Sequence, residues 1–288
     1  MHLDEVAKRV RRDVIQMIMH SQSGHPGGAL GAAELLSVLY FKTMRHRPEE
    51  PNWEGRDQFV LSNGHICSAM YSCLARSGYF NTQELLTFRK INSRLQGHPS
   101  RHDLPGVETA SGPLGQGLSI ANGMALGMRL AGIDRKVYCL VGDGEMQEGQ
   151  IWEACMTSPQ YKLNNLVLIV SWNDIQIDGT VTQVKNLDPL STKLEAFGWH
   201  VLKIDGHDIS DIETAFAEAD RIKNKPTAII AKTILGKGVS YMENKSEWHG
   251  KAPSIEESLR ALKEIGTSEF QADLVAERGG LSDGIRKW

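Results

Sequence analysis

The chain begins with apolar residues that recur every three or four positions, as on one face of a helix: Val6, Val10, Val14, Ile18 and Met19. This pattern predicts an amphipathic helix over residues 4–20. Further helices are expected over residues 32–42, 66–77, 118–131, 148–158, 189–197 and 209–222. Short apolar runs typical of strands lie at residues 59–62, 136–141, 166–171, 199–204 and 227–231. Strands that alternate with helices indicate an α/β fold, with a doubly wound, mostly parallel sheet flanked by helices.

Two segments depart from this alternation. Residues 94–109 have no hydrophobic period and are rich in His, Pro and Gly, so a loop is expected there. The tail beyond Ala252, about residues 253–288, is expected to form two short helices. Because the sequence shows no internal repeat and no linker-like break, it predicts a single domain over residues 1–288.

Composition and charge exclude several classes of protein. The chain has 288 residues, of which 41% are hydrophobic, as in ordinary folded proteins. It carries 32 Lys and Arg against 35 Asp and Glu, and this balance argues against a nucleic-acid partner. No apolar run reaches the ~20 residues of a membrane span, and the charged N-terminus lacks the apolar stretch of a signal peptide. The four cysteines form no CxxC pair, so reduced thiols and a cytoplasmic location are expected.

Glycine-rich polar turns follow three of the predicted strands, at residues 62–65, 142–144 and 173–179. Ligands of such sheets bind outside the carboxyl ends of the strands. In the second turn, two glycines flank Asp143, so the backbone can approach a ligand closely and the next helix start offers N–H groups to an anion. A Gly-Asp-Gly sequence alone is more often an ordinary turn.

The third turn changes this interpretation. Asn173 comes 30 positions after Asp143, just past the next strand, and parallel strands would bring the two side chains to one edge. A carboxylate, an amide oxygen and a nearby backbone carbonyl suit Mg²⁺ or Ca²⁺, with phosphate oxygens completing the shell. This combination is the fingerprint of a thiamine diphosphate site and is far more specific than either half.

Eight segments together make the chain similar to the N-terminal, diphosphate-binding half of transketolase. They occur in the order of that family, from about residue 5 to 253, at residues 23–28, 61–65, 97–99, 112–117, 142–149, 173–179, 205–208 and 248–250. The resemblance therefore covers nearly the whole chain. It implies the thiamine diphosphate-binding fold, in its diphosphate-binding domain.

The resemblance also implies roles for residues around the cofactor. The metal would be bound by Asp143, Asn173 and the carbonyl of Ile175. The diphosphate would contact His65 and Gly144, and Gly112 and Leu114 would border the aminopyrimidine and thiazolium rings. Glu148 would lie at the interface between subunits, in a carboxylate network that couples two sites.

Three histidines would act on the substrate in a similar enzyme. The resemblance implies that His25 and His249 face the reacting carbon of the cofactor and move protons on substrate hydroxyl groups, and that His98 hydrogen-bonds the donor ketose. The residues agree with this, since ketol transfer needs proton movement near neutral pH, a task that suits histidine. His25, His65, His98 and His249 each adjoin Gly or Pro in predicted loops.

The family's enzyme is about twice this length, and its second half supplies the pyrimidine-binding domain. The resemblance therefore implies one subunit of a split transketolase, paired with a separate C-terminal subunit in an α2β2 assembly that acts on sugar phosphates. Other interpretations stay open: a subunit of another thiamine diphosphate enzyme, such as 1-deoxyxylulose-5-phosphate synthase or the α chain of a 2-oxo-acid dehydrogenase, or a non-catalytic cofactor-binding relative. A Rossmann-type dehydrogenase is set aside because no G-x-G-x-x-G turn follows a first strand.

Overall fold

The fold alternates strands and helices along the chain. The computed structural model describes residues 2–266. Its helices are α1 (Leu3–Ser21), α2 (Pro26–Gly31), α3 (Ala33–Val38), α4 (Cys67–Ser77), α5 (Gly117–Leu130), α6 (Gly149–Gln160), α7 (Val181–Lys185), α8 (Leu190–Phe197), α9 (Ile209–Arg221) and α10 (Ile255–Ile265). Its strands are β1 (Gln58–Leu61), β2 (Val137–Gly142), β3 (Leu166–Trp172), β4 (Ile175–Gln176), β5 (Gly179–Thr180), β6 (His200–Asp205) and β7 (Thr227–Lys232).

Five strands form one sheet in the order β1-β2-β3-β7-β6, and every neighbouring pair is parallel. In the centre of the register, Leu140 pairs with Leu61 on one side and with Ile169 on the other. Because all five strands run the same way, their carboxyl ends meet at one edge of the sheet. The short strands β4 and β5 form a separate antiparallel hairpin beyond that edge.

Alternate residues of each strand enter two separate hydrophobic cores. On β2, Tyr138 and Leu140 pack with α1, α3, α4 and α9 on one face. Cys139 and Val141 pack with α5, α6 and α8 on the other face. The predicted α/β class, a parallel sheet with helices on both faces, is confirmed.

The predicted helix over residues 32–42 is present, but it consists of two kinds of helix and a further helix precedes it. The structure has α2 before it, α3 ends at Val38, and a π-helical turn continues over Leu39–Thr43. Pro26 is the first residue of α2, where its fixed φ suits a helix and its missing N–H costs nothing. The glycines of α2 hide its helical period, because they have no side chains to show a hydrophobic face. Gly31 is needed where it is, since a Cβ there would lie 2.8 Å from the Ile234 carbonyl oxygen.

The remaining expectations concern loops and the tail. Residues 94–109 contain no helix or strand, as expected. The first expected tail helix is α10, which begins with a capping box between Ser254 and Glu257. The second tail helix lies outside the described residues. Within residues 2–266, no helix has the length and apolar character needed to cross a bilayer.

Candidate active site at the carboxyl edge of the sheet

A cleft of about 230 Å³ opens at the carboxyl edge of the sheet. The turns that follow β1, β2 and β3 line it, together with the β4 segment and parts of two more distant loops. All three turns that the sequence singled out therefore reach one cleft. The ends of strands supply its polar side chains, and Leu235 and Ile66 supply apolar contacts.

Asp143 ties the turn after β2 to the turn after β3. Its carboxylate is 2% exposed. Oδ1 accepts the backbone N–H of Gly144 at 2.8 Å, and Oδ2 accepts those of Asn173 and Asp174 at 2.8 and 2.5 Å. Burial raises the pKa of Asp143 to about 6, although the three backbone N–H groups oppose this rise. A buried carboxylate with so little solvation gains strongly from a cation placed beside it.

Asn173 and Ile175 lie directly beside this carboxylate. Asn173 Oδ1 accepts the backbone N–H of Ile175 at 2.9 Å, which closes a tight turn before β4. Asp174, between them, has a φ of +59°, a left-handed conformation that Asp tolerates better than most residues. The structure thus brings the predicted metal-binding residues together in the lining of one cleft. Within residues 2–266, no group of three or more His, Cys, Asp or Glu residues is arranged to hold a metal, so Asp143 would need amide and backbone oxygens beside it as further ligands.

Three predicted histidines form a cluster beside the same cleft, and two of them, His65 and His249, line it. The ring centroids of His25 and His65 are 5.1 Å apart, those of His65 and His249 are 5.4 Å apart, and those of His25 and His249 are 6.0 Å apart. Burial is the main reason that the pKa of His65 falls to about 3 and that of His25 to about 4. Burial also lowers the pKa of His249. All three rings are therefore neutral near pH 7 and can accept a proton.

Local structure fixes two of these rings. His25 precedes α2, and His249 follows the single 3₁₀ turn Ser246–Trp248. A Cβ on Gly250 would lie 3.4 Å from His25 Nε2, so the glycine lets the two segments pack closely. The Nδ1 atoms of His25 and His249 are buried and have no hydrogen-bond partner within the described chain. Buried ring nitrogens without partners are costly unless a ligand satisfies them.

The other predicted residues lie at the rim. His98 is exposed and packs against Gly112, where a Cβ would lie 3.7 Å from the imidazole. Leu114, 37% exposed, lines the cleft. Glu148 is exposed at the start of α6 and also lines the cleft. Gly144 lines the cleft beside Asp143. His25, His98 and Gly112 are the predicted residues outside the cleft lining itself, although His25 contacts two histidines that line it.

Sequence reasoning missed Glu145. Its carboxylate is 3% exposed and accepts the Ser62 hydroxyl and the backbone N–H groups of Gly115 and Gly142, the last two at 2.8 and 3.1 Å. The Ser62 oxygen in turn accepts the N–H of Gly117 at 3.0 Å. One acidic side chain thus joins three loops of the site, and burial raises its pKa. Its position directly after Gly-Asp-Gly was the available signal.

Asn63 was also missed. It lines the cleft, is 4% exposed, and its Oδ1 has no hydrogen-bond partner within residues 2–266. Its position, directly before Gly64 and His65 in the turn after β1, is the sequence feature that would have found it. A buried amide without a partner at the cleft wall indicates a polar ligand.

His207 holds the loop that carries Leu235, a residue of the cleft lining. Its Nδ1 lies 3.0 Å from Glu34 Oε2, and its Nε2 accepts the backbone N–H of Ile234 at 2.8 Å. Arg11 pairs with the same glutamate. The neighbouring Leu235 lines the cleft. Through these contacts His207 has a structural role in holding the turn before α9 against the loop after β7.

A parallel α/β sheet whose carboxyl edge brings a buried aspartate, an asparagine and neutral histidines to one cleft is typical of a cofactor-binding enzyme. A family model described as the thiamine diphosphate binding domain of transketolase matches residues 3–275. The chain belongs to the transketolase family. This membership favours transketolase over the other thiamine diphosphate enzymes that the sequence left open.

The relatives include single subunits of similar extent. One of the subunits of the apulose-4-phosphate transketolase of Phocaeicola vulgatus is 39% identical over 278 residues, 96% of this chain and 98% of that one. The 6-deoxy-6-sulfo-D-fructose transketolase subunit of Clostridium sp. strain MSTE9 is 38% identical over 263 residues, 91% of this chain and 96% of that one.

The solved transketolase of Campylobacter jejuni has a TM-score of 0.87 at 38% identity, and the match covers 92% of this chain and 43% of that one. The chain therefore spans less than half of a full-length transketolase. It corresponds to the N-terminal subunit of a split transketolase, which is a transferase.

Proposed function

We propose that this chain holds thiamine diphosphate and a divalent cation for transfer of a two-carbon ketol unit from a ketose phosphate to an aldose phosphate. The observation that carries the proposal is that one cleft brings together the Asp143–Asn173 pair and the cluster of His25, His65 and His249.

The residues present fit the cofactor and its metal. Asp143, Asn173 and the Ile175 carbonyl would hold Mg²⁺ or Ca²⁺, since these hard cations prefer oxygen ligands. His65 and Gly144 would hold the diphosphate. The buried Asn63 oxygen without a partner and the exposed Leu114 are further features that a polar and apolar ligand would satisfy. When bound, thiamine diphosphate supplies the electron sink that stabilises a carbanion during carbon–carbon bond cleavage.

The histidines supply proton transfer. Because His25 and His249 are neutral at pH 7, each can take a proton from a donor hydroxyl and return it to the acceptor. His98, at the rim, would hydrogen-bond the donor near its first hydroxyl, and Gly112 and Leu114 would form the adjacent wall.

We further propose that the partner is a separate C-terminal subunit, in an α2β2 assembly with Glu148 at an interface between the two chains. The relatives of similar extent are themselves named as subunits, which supports a two-chain enzyme. The four cysteines are buried and unpaired, which supports a reducing, cytoplasmic location. The whole chain, residues 1–288, would then act as one diphosphate-binding domain.

The donor is a ketose derivative with a charged end. One relative is named for apulose 4-phosphate and another for 6-deoxy-6-sulfofructose, which carry a phosphate and a sulfonate. Both anions suit a site in which the partner chain binds the charged group at the far end of the donor. A function in the pentose phosphate pathway and a function in the breakdown of a specialised sugar would both use the same ketol transfer at this chain's cleft.

The test is reconstitution with candidate C-terminal subunits encoded in the same source. The chain, the partner and their mixture are each assayed with thiamine diphosphate and Mg²⁺, with apulose 4-phosphate, 6-deoxy-6-sulfofructose and xylulose 5-phosphate as donors. The proposal expects transfer by the mixture alone. Ketol transfer at an enzymatic rate by the pure chain would overturn the need for a partner.

A further inference from the structure

Arg89 lies between two loops that carry histidines of the site. Its Nη1 donates to the Ser23 hydroxyl at 2.8 Å, and its Nη2 donates to the Gly97 carbonyl at 3.1 Å. Ser23 is two positions before His25, and Gly97 is one position before His98. One guanidinium therefore connects both loops, because its donors form a rigid fork.

The backbone conformation of Arg89 favours this contact. Arg89 has a φ of +57°, a left-handed conformation that costs energy in a residue with a long side chain. Its N–H donates to the Leu95 carbonyl at 2.8 Å, which fixes that conformation. Gly97 allows close approach, since a Cβ there would lie 2.7 Å from Arg89 Nε. A left-handed arginine and a glycine at the point of closest approach both favour this placement of the guanidinium.

We propose that Arg89 is a positioning residue that ties the His25 loop to the His98 loop and so fixes the separation of the two imidazoles that meet the donor's hydroxyl groups. We call this contact the arginine clamp. The inference rests on the proposed function in assigning those hydroxyl contacts to His25 and His98. It adds a residue that touches neither cofactor nor substrate.

The charge of Arg89 supports the same assignment. Burial is the largest cause of the lowered pKa of His25 and of His98, and the charge of Arg89 is the second largest cause for both. The groups that face His25 are Arg89, His65, His98 and His249. Arg89 is the permanently charged member of this set, so it favours the neutral, proton-accepting form of His25 at every pH of interest.

The next residue offers a matched control. Lys90 carries the same charge and donates to the His20 carbonyl, away from the two loops. Burial is the main cause of the lowered pKa of His20, and the charge of Lys90 lowers that pKa further. Arg89→Gln and Lys90→Gln therefore remove the same charge one position apart, and they act on different histidines.

The kinetic experiment uses the chain assembled with its partner and loaded with thiamine diphosphate and Mg²⁺. Arg89→Lys keeps the charge but loses the fork, so kcat/KM for the donor should fall about 10²-fold with the acid limb of the pH profile unmoved. Arg89→Gln should show the same loss of kcat/KM and shift the acid limb of the pH profile to higher pH, since the pKa of His25 rises.

The controls are cofactor binding and Lys90→Gln. Both Arg89 variants should retain wild-type affinity for thiamine diphosphate, and Lys90→Gln should match the wild type in kcat/KM. Equal kcat/KM in Arg89→Lys and Lys90→Gln would overturn the arginine clamp.

A second measurement needs no turnover. Ring resonances of the histidines in the full chain are titrated by NMR, with assignments from single His→Gln variants. Arg89→Gln should raise the pKa of His25 and His98 and leave that of His20, whereas Lys90→Gln should raise only that of His20. Unchanged titration of His25 and His98 in Arg89→Gln would overturn the proposal. If the wild-type complex transferred no ketol unit, the proposed function would fail, and this titration would still decide the arginine clamp.

Discussion

Asp143 and Asn173, 30 positions apart, are joined by a 2.8 Å hydrogen bond from the Asn173 backbone N–H to the Asp143 carboxylate. The parallel pairing of β2 and β3 causes this contact, because Gly142 pairs with Ser171 in the last position of their register. Within residues 2–266 three backbone N–H groups hold this buried carboxylate in the lining of the cleft. This relationship is the basis of the metal assignment.

Replacing this carboxylate should remove metal-dependent cofactor binding. In Asp143→Asn the amide keeps the size of the side chain and loses the charge that a divalent cation requires. Calorimetric titration of the assembled protein with thiamine diphosphate should show no binding that depends on Mg²⁺. Glu195→Gln, which alters an exposed carboxylate on α8, should bind normally. Normal binding by Asp143→Asn would show that the metal lies elsewhere.

The histidine cluster should affect turnover more than cofactor binding. His249→Gln keeps a polar side chain but cannot move a proton, so kcat should fall by roughly 10²–10⁴-fold. The affinity for thiamine diphosphate should change little. Steady-state rates and cofactor titrations of the same preparation separate the two effects. His102→Gln, at an exposed loop position, serves as the control and should retain full activity.

Stability should fall as the pH decreases from 6.5 towards 4. The pKa of His25 is about 4 in the folded chain and 6.5 when unfolded, so the unfolded state binds more protons between these values. Protonation therefore favours unfolding throughout this window. The raised pKa of Asp143 acts in the opposite direction, so the useful comparison is between wild type and His25→Gln, which share that group.

Denaturant unfolding of the full chain across this window measures the difference. Relative to the wild type, His25→Gln should lose less stability on acidification. Parallel pH curves for the two proteins would mean that His25 titrates normally in the folded state.

Glu145 should hold the loops of the site together. Glu145→Ala leaves the buried N–H groups of Gly115 and Gly142 and the Ser62 hydroxyl without their acceptor, at a cost of roughly 1–3 kcal/mol for each group left unsatisfied. Glu145→Gln retains a carbonyl acceptor and should cost less. Chemical denaturation of both variants gives the ranking. Equal stability of Glu145→Ala and the wild type would show that water replaces the carboxylate.

The strands and the cleft were predictable because apolar runs and glycine-rich turns are local signals. Asp143 and Asn173 follow directly from where β2 and β3 end. The helix α2 was not predictable from periodicity, since its glycines have no side chains to show a hydrophobic face. Glu145 and Arg89 were missed because their roles depend on loops far away in sequence, through contacts with Ser62 and with Ser23.

The most direct test of the central claim follows the transferred carbons. A ketose phosphate labelled with ¹³C at its first two carbons is incubated with an aldose phosphate, the chain, its partner, thiamine diphosphate and Mg²⁺. The masses of the products are then measured by mass spectrometry. The account predicts a product two carbons longer than the acceptor that carries both labels, and none when Asp143→Asn replaces the wild type. Labelled product formed equally well by Asp143→Asn, or an acceptor that gains no carbon with the wild-type pair, would contradict it.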